Sequence, residues 1–518
     1  MSPKKESIFF NFLFWVLLIG AVLAYNFHQI GHFGPVSVHS WRQADSASFA
    51  LRYYQDGMEF FSPKVHNMQG GQGEAVAEFP IMYYLAAALY HLFGPKPILL
   101  RLLNFALLAL GLFALFRLLR RLLDSWAMAL LLPMLILGVP VLIFYGYNFL
   151  PNSVGFGFTL LAAGAFFRYQ RSGKMGHYYL MCGLALLGAL IKISVLIPFL
   201  ALAGTLFLEK LLPARQETMK TPGWGGFLAS SLAVIGLVGF WYKWAADYNL
   251  AHQSSVLMTS IRPFWQMAKE DFDYSMLVIT GPYRYWEIIL SKYTLWLFMG
   301  LWILELALFR KIPRPAYLFL ALLSLGVLSF LALFFSQLLV HGYYWIDVLA
   351  LLVYVFALAL WLMKTSMPRA FHHWAFGLAL SAFVVFNLNF CRSMMERFYS
   401  AEYLSDINPG FFKQEELQAF YREHGISYDS TLVNVGPDLT PNLSLYYLNL
   451  RGWNRRLENN FKDANVIWQA NNNVDYFVVV DTAYFQQEGL ERTFSCPRLV
   501  FNESIYFFDI RGFRNEGE

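Results

Sequence analysis

The sequence predicts an all-α polytopic membrane domain of about eleven transmembrane helices, followed by a small α/β domain. Three observations carry this reading. Of the 518 residues, 57% are hydrophobic and 14% are charged, against roughly 25% charged in an average soluble domain. The mean hydropathy is +0.43, and the apolar residues gather in long runs rather than along amphipathic faces. Charge also divides near Cys391. Residues 1–390 hold 27 Lys+Arg and 16 Asp+Glu, for a net charge of +11, and residues 391–518 hold 12 and 18, for −6. A soluble enzyme and a disordered chain are excluded. The basic surplus belongs to the membrane part, so nucleic acid is not the partner it indicates. Three widely spaced cysteines, Cys182, Cys391 and Cys496, exclude a disulfide framework and a cysteine-based zinc cluster.

The apolar runs lie near 8–27, 98–116, 126–144, 153–168, 178–190, 193–208, 224–243, 293–309, 316–335, 345–363 and 374–390. The first has no small-residue cleavage site behind it and reads as a retained anchor. Around Lys192 the run is interrupted by Ile-Lys-Ile-Ser and then Ile-Pro, which suits two short helices meeting at a break.

Basic residues set the expected orientation. Lys4 and Lys5 precede the first run. With alternate crossings, five further groups fall on the same side: Arg117/Arg120/Arg121, Arg168/Arg171/Lys174, Lys210/Arg215/Lys220, Arg310/Lys311/Arg314 and Lys364/Arg369. These segments carry 16 of the 27 basic residues of the membrane part and 4 of its 16 acidic ones. The N-terminus is therefore expected in the cytoplasm and the tail outside, in a multi-pass protein of the cell (inner) membrane. A crossing at 81–93 would reverse the bias, so that segment reads as an amphipathic helix on the outer face.

Three outer segments are large: 28–97, 244–292 and 391–518. The division expected is a membrane domain over 1–390, with 28–97 as its first outer loop, and an α/β domain over 391–518. In the tail, Thr431–Gly436, Ser444–Leu448, Val474–Asp481 and Ile505–Ile510 read as strands and Gln414–Glu423 as a helix.

The first outer loop holds the most chemistry. It contains Trp41-Arg42-Gln43-Ala44-Asp45, then Gly57 and Pro63, then Glu78-Phe79-Pro80. A helix is expected over Ser46–Gln55, which makes Asp45 either its N-cap or a general base kept ionised by Arg42. Glu78 is either a solvated turn residue or a second carboxylate of the same site. Arg101 opens the second run, where snorkelling to the interface is the plain explanation. Lys192 sits inside an apolar hairpin, and an ionisable group at that depth is a functional candidate whose alternative is pairing with helix carbonyl ends. His341-Gly-Tyr343-Tyr344, near the outer end of a late run, suits hydroxyl or phosphate recognition, although a lone histidine there is more often structural.

Trp41-Arg-Gln-Ala-Asp45, Gly57 through Pro63 and Glu78-Phe-Pro, followed by a multi-span body, resemble the GT-C superfamily of membrane glycosyltransferases. Within it, residues 8–390 look like the bacterial branch with the aminoarabinose transferase of lipid A and the protein O-mannosyltransferases. The resemblance implies a polyprenyl-phosphate sugar donor, an outward-facing site and inverting displacement at the anomeric carbon. It places Asp45 at the family's catalytic position and Glu78 at the carboxylate before the amphipathic helix. Arg42 and Arg101 match arginines near the donor phosphate, and His341, Tyr343 and Tyr344 match a His-x-Tyr-Tyr element. Two positions depart from the pattern. Phe79 replaces a phosphate-contacting lysine, and Asn152 offers an amide where many relatives carry aspartate. The donor phosphate is thus left to Arg42, Arg101 or Lys192.

The expected function is a membrane glycosyltransferase acting on a lipid, glycan or protein acceptor among membrane lipids. No cofactor is required by this chemistry, although Asp45 and Glu78 could share a divalent metal. The alternative is a polyprenyl-lipid or small-molecule transporter or flippase. It accounts for the spans and Lys192 but not for carboxylates and arginines gathered in one outer loop. A structural or assembly protein leaves that loop unexplained as well.

Overall fold

Each apolar run falls on helix in the computed structural model, which describes residues 3–69, 71–212, 219–257, 261, 263–281, 284–404, 407–436, 438, 440–455 and 461–514. Among the described residues, seven helices are long and apolar enough to cross a membrane: Lys5–Ala24, Pro97–Leu123, Ile193–Leu211, Trp224–Ala251, Arg314–Leu333, Gly342–Ser366 and Trp374–Phe398. An eighth span arises if Trp126–Leu137 and Pro140–Gly146, bent by 76°, count as one. These criteria give seven or eight spans rather than the eleven expected. The shortfall has a simple cause. Met175–Ile191 has 17 residues and Lys292–Ala307 has 16, which at ~1.5 Å per residue fall short of the ~30 Å hydrocarbon core. Asn152–Ser172 carries Arg168 and Arg171 towards its end.

The chain forms two compact units: Met1–Ile30, Arg101–Lys243 and Ser260–Arg397 make the first, and Gly31–Leu100, Trp244–Thr259 and Phe398–Glu518 the second. This differs from a cut into 1–390 and 391–518, because the first outer loop clusters with the tail.

In the first unit, Asn152–Ser172 packs on Met175–Ile191, and Leu196–Leu211 packs on Arg314–Leu333. The bend after Leu137 follows from Pro140, which starts the next helix and cannot continue the previous one. Buried polar side chains tie helices together. Ser291 and Thr294 both donate to Asn387 Oδ1, at 2.6 and 2.7 Å. Such bonds hold helices where apolar burial gives no preference for protein over lipid.

In the second unit, the tail forms a five-stranded sheet of β1 (Thr431–Val435), β2 (Arg451–Arg455), β3 (Tyr476–Val479), β4 (Arg498–Phe501) and β5 (Ile505–Asp509). The order is β2-β1-β3-β5-β4, with β2, β1 and β3 parallel and β5 and β4 antiparallel. Alternation sends Leu432, Tyr476 and Val478 into one core, and Val433, Val435, Phe477 and Val479 into the other. The first core also holds Val36 and Ala44 from the first outer loop. That loop is fastened further by Tyr447 Oη donating to the Pro35 carbonyl at 2.8 Å, and by Asn67 pairing alongside Gly452 of β2.

The helix Gln414–His424 and three of the expected strands are present. Ser444–Leu448 is not a strand. It is the helix Leu443–Leu448, buried on nearly every side. Asp438 decides this: its carboxylate accepts from the backbone N–H and hydroxyl of Ser444, at 3.2 and 2.9 Å, anchoring the first turn. β2 and β4, which the sequence reading omits, are the two outermost strands of the sheet: β2 is mostly polar, and β4 is four residues long with Phe501 alone buried. Ile81–Phe93 is a helix of 13 residues, as expected, burying Met82, Tyr83, Ala86, Ala87 and Tyr90.

Candidate active site

The helix that carries Asp45 spans Ser40–Gln55, six residues longer than the sequence suggests. It starts after His39, whose left-handed backbone (φ 54°) turns the chain. Gln43 fixes that turn by donating through Nε2 to the carbonyls of Val36 and Val38, each at 2.8 Å. Asp45 therefore sits in the second turn, and the N-cap explanation for it fails. With Gln43 holding the turn and Ala44 in the core, Arg42 and Asp45, three positions apart, project from one face.

Around that face the second unit assembles a network. Arg42 donates to Glu78 Oε1 at 2.7 Å and lies 3.7 Å from Asp45 Oδ2. Tyr83 donates its hydroxyl to Glu78, and its oxygen is 3.1 Å from Ser46 Oγ. Phe49 stacks on the Tyr83 ring with centroids 5.3 Å apart. Glu78 is thus a bound partner of Arg42 and Tyr83 rather than a free turn carboxylate. From the tail, Asn442 donates Nδ2 to Asp45 Oδ1 at 2.8 Å. The Asn67 backbone N–H donates to Asn442 Oδ1 at 2.9 Å, which fixes the amide with its N–H side towards Asp45.

Asp45 is 2% exposed. Burial pushes its carboxyl up to about 6, working against Arg42 and the Asn442 bond, while Glu78 and Asp438 add to the rise. A carboxylate near 6 is ionised at neutral pH and basic enough to take a proton. Phe79 packs against the Phe60 ring, centroids 5.1 Å apart, where the family pattern has a lysine.

The first unit holds a second cluster. Lys192 lies between the helices Met175–Ile191 and Leu196–Leu211 with an extended backbone (φ −148°, ψ 110°), so the break expected there is present. Lys192 is not alone in its hairpin. Its Nζ is 3.7 Å from Asp347 Oδ2 and 4.4 Å from the centre of the Tyr344 ring. Tyr343 and His341 complete the group, with the hydroxyl 2.9 Å from Nδ1. Ser194 and Asn152 also lie within electrostatic reach of the Asp347 carboxylate. Gly155 permits the approach, because a Cβ there would come within 2.9 Å of Lys192 Cβ. Lys192, His341, Tyr343 and Tyr344 are therefore brought together.

Arg101 is elsewhere in this unit and fully buried, so it does not snorkel. Its guanidinium donates to the Tyr147 carbonyl at 2.8 Å and lies 4.4 Å from the centre of the Phe149 ring. One turn on, Asn104 donates to the carbonyl of Asn148 at 2.8 Å. Together they clamp the turn that leads into Asn152.

No family model and no curated protein matches the chain in sequence. Solved structures match it in fold. ArnT from Cupriavidus metallidurans in the apo state gives a TM-score of 0.59 at 13% identity, over 96% of this chain and 98% of that one. ArnT bound to undecaprenyl phosphate gives 0.58 at 14%, over 96% and 99%. The oligosaccharyltransferase of Archaeoglobus fulgidus, solved with Zn and sulfate, gives 0.54 at 12%, over 90% and 68%. The mycobacterial arabinofuranosyltransferase AftD gives 0.52 at 13%, over 90% and 35%. The chain has the GT-C fold.

Within this GT-C fold, a divalent metal shared by Asp45 and Glu78 does not fit the arrangement. The Arg42 guanidinium bridges both carboxylates, and a second cation there would meet its charge. Among the described residues, no group of three or more His, Cys, Asp or Glu side chains is gathered for a metal. Sequence reasoning missed Asp347 and Asn442. Asp347 closes the His341 run, and the need of an intramembrane lysine for a carboxylate could have found it. Asn442 lies 397 positions from Asp45, and no local pattern marks it.

Proposed function

We propose that the protein is a membrane glycosyltransferase that moves a sugar from a polyprenyl-phosphate donor to a hydroxyl of a lipid, glycan or protein acceptor. Asp45 is the general base. As the acceptor oxygen bonds the anomeric carbon, its proton passes to Asp45, the bond from that carbon to the phosphate oxygen breaks, and polyprenyl phosphate leaves. Attack opposite the leaving group inverts the anomeric centre. The observation that carries this reading is a buried carboxylate near pKa 6, flanked by Arg42 and oriented by Asn442, on a fold whose solved examples are glycosyltransferases.

The donor phosphate is assigned to Lys192, with Tyr344 and His341 beside it. The two arginines favoured by fork geometry are otherwise committed. Arg42 neutralises two carboxylates, and Arg101 is sealed against the Tyr147 carbonyl. Lys192 keeps 19% of its side chain exposed. An apolar groove of about 480 Å³, walled by Val195, Phe199, Phe319 and Val353 among others, suits an isoprenoid chain and reaches within three residues of Lys192. ArnT, whose fold this chain shares, has been solved with undecaprenyl phosphate bound.

Transfer of label from a polyprenyl-phosphate sugar by the purified protein tests the reading. Asp45→Asn should lower turnover by about a hundredfold or more while donor binding persists. Near-normal turnover in that variant sinks the assignment. The Lys192–Asp347 pair inside the helical body favours the transporter reading, which predicts donor lipid crossing vesicles without covalent transfer. The proposed placement puts the N-terminus in the cytoplasm and residues 28–97 and 391–518 outside. Cysteines introduced at Ser62 and Ser430 should then react with an impermeant reagent in spheroplasts, and protection at both would refute that placement.

A further inference from the structure

The proposed reaction leaves unused a group of arginines at the ends of Pro97–Leu123 and Asn152–Ser172. Arg117, Arg120, Arg121 and Arg171 line a polar hollow of about 580 Å³. Arg117, Arg121 and Arg168 also line an adjoining hollow of about 170 Å³, whose other walls include Leu118, Leu180 and Leu184. The two hollows share Arg117, Arg121 and Phe167, so a cationic basin adjoins a smaller hollow walled by leucines on one part and arginines on another.

The charge there is poorly balanced. Among the described residues, Asp124 is the one carboxylate lining either hollow, and it is engaged by Lys364 at 2.6 Å and Arg120 at 3.8 Å. Arg117 turns instead to neutral partners, Asn11 Oδ1 at 2.9 Å and Ser7 Oγ at 3.4 Å. Among the described residues, no carboxylate is within ion-pair distance of Arg117, Arg121, Arg168 or Arg171. Arg121 lies within electrostatic reach of the other three. Arginines that only set membrane orientation need a position on one side of the bilayer. They need neither convergence on one basin nor leucine side chains gathered beside it.

We propose that this basin binds an anionic glycerophospholipid. Its phosphodiester is held by Arg117, Arg121, Arg168 and Arg171, and an acyl chain runs along Leu118, Leu180 and Leu184. Guanidinium forks match phosphate oxygens in pairs, and basic pockets between transmembrane helices bind such headgroups. The leucines distinguish a phospholipid from a free anion, because inorganic phosphate gains nothing from them. The assignment is independent of the transferase reading.

The test uses the delipidated full chain in neutral detergent, with thermal unfolding followed against added phosphatidylglycerol, phosphatidylcholine or inorganic phosphate. Phosphatidylglycerol should raise the unfolding midpoint saturably, and the other two at equal phosphate should not. Each surface arginine contributes about fivefold to anionic-lipid affinity. Arg121→Gln with Arg168→Gln should therefore weaken the apparent affinity by about 25-fold. Arg121→Lys with Arg168→Lys keeps the charge, loses the forks and should weaken it by about threefold or more, which serves if the Gln pair does not fold. An equal response to phosphatidylcholine or to inorganic phosphate overturns the proposal. So does unaltered phosphatidylglycerol affinity in whichever double variant folds.

Discussion

Replacing Asn442 with alanine removes one amide donor from Asp45 and leaves Arg42 and Glu78 in place. The lost bond is 2.8 Å long and made to a buried carboxylate. A hydrogen bond to a charged group is worth about 1.5–3 kcal/mol, and one pKa unit corresponds to about 1.4 kcal/mol. The Asp45 carboxyl should therefore rise by about one to two units from its value of about 6. At pH 7 the ionised fraction would fall from about nine-tenths to between about one half and one tenth. The assay is kcat/KM for sugar transfer against pH, which reports the base in the free enzyme. Its acid limb should move from about 6 to about 7–8, and the rates of variant and parent should converge at higher pH. Asn442→Asp keeps an oxygen for the Asn67 N–H but sets a second carboxyl beside the first, so its limb should lie higher still. In the alanine variant that N–H loses its acceptor, costing about 1–3 kcal/mol of stability. A lower unfolding midpoint is thus expected and does not decide the matter. An acid limb still near 6 in the alanine variant would refute Asp45 as the base positioned by Asn442.

Asp45→Asn should stabilise the second unit while lowering transfer by about a hundredfold or more. A folded pKa of about 6 against the ordinary 3.8 means that stability present below pH 3.8 is lost as pH rises through 6, an ionisation cost of about 3 kcal/mol at neutral pH. A variant no more stable than the parent at pH 8 would contradict this. Lys192→Met should weaken donor affinity about tenfold or more, as loss of a charged phosphate contact does. Arg101→Lys should lower the unfolding midpoint with donor affinity nearly intact, and the reverse pattern in donor titrations would return the phosphate to Arg101. His66 is buried beside Ser48, and burial holds its imidazole well below the ordinary 6.5. Its contribution is whole above pH 6.5 and is lost as pH falls through the folded value. Asp45 changes stability in the opposite direction over an overlapping range. In the Asp45→Asn background, the midpoint should therefore fall between pH 7 and 5, and His66→Gln should flatten that fall.

The helical body was legible because hydropathy is a local property, and every apolar run is helical. Span number was not, since length and bend decide it and neither Gly138 nor Pro140 announces a 76° turn. The start of the Asp45 helix was misplaced because Gln43 holds the turn through carbonyls at Val36 and Val38, contacts that no helix pattern encodes. In the tail, β1, β3 and β5 alternate with the two faces they cover, whereas β2 and β4 are edge strands with little to bury. Residues that act through side-chain chemistry in one segment, such as Arg42, Asp45 and Lys192, stood out. Those that act by being held in place from far along the chain, such as Asn442 and Asp347, did not.

The tail gains a role from this geometry. Asp438 accepts from Ser444 and starts the helix Leu443–Leu448. That helix seats Asn442 at its N-cap position, and the Asn67 N–H then turns the amide so that only its N–H side faces Asp45. Each step depends on the one before, and all of them lie within one compact unit that joins the first outer loop to residues 398–518. A buried carboxylate left with Arg42 and Glu78 alone would trade one cation against one like charge. The Asn442 donor favours the ionised form without adding charge, which is what a base must have to be free of its proton at neutral pH. On this account the tail is part of the base's environment, and a chain truncated before Phe398 should lose the Asp45 poise along with the sheet.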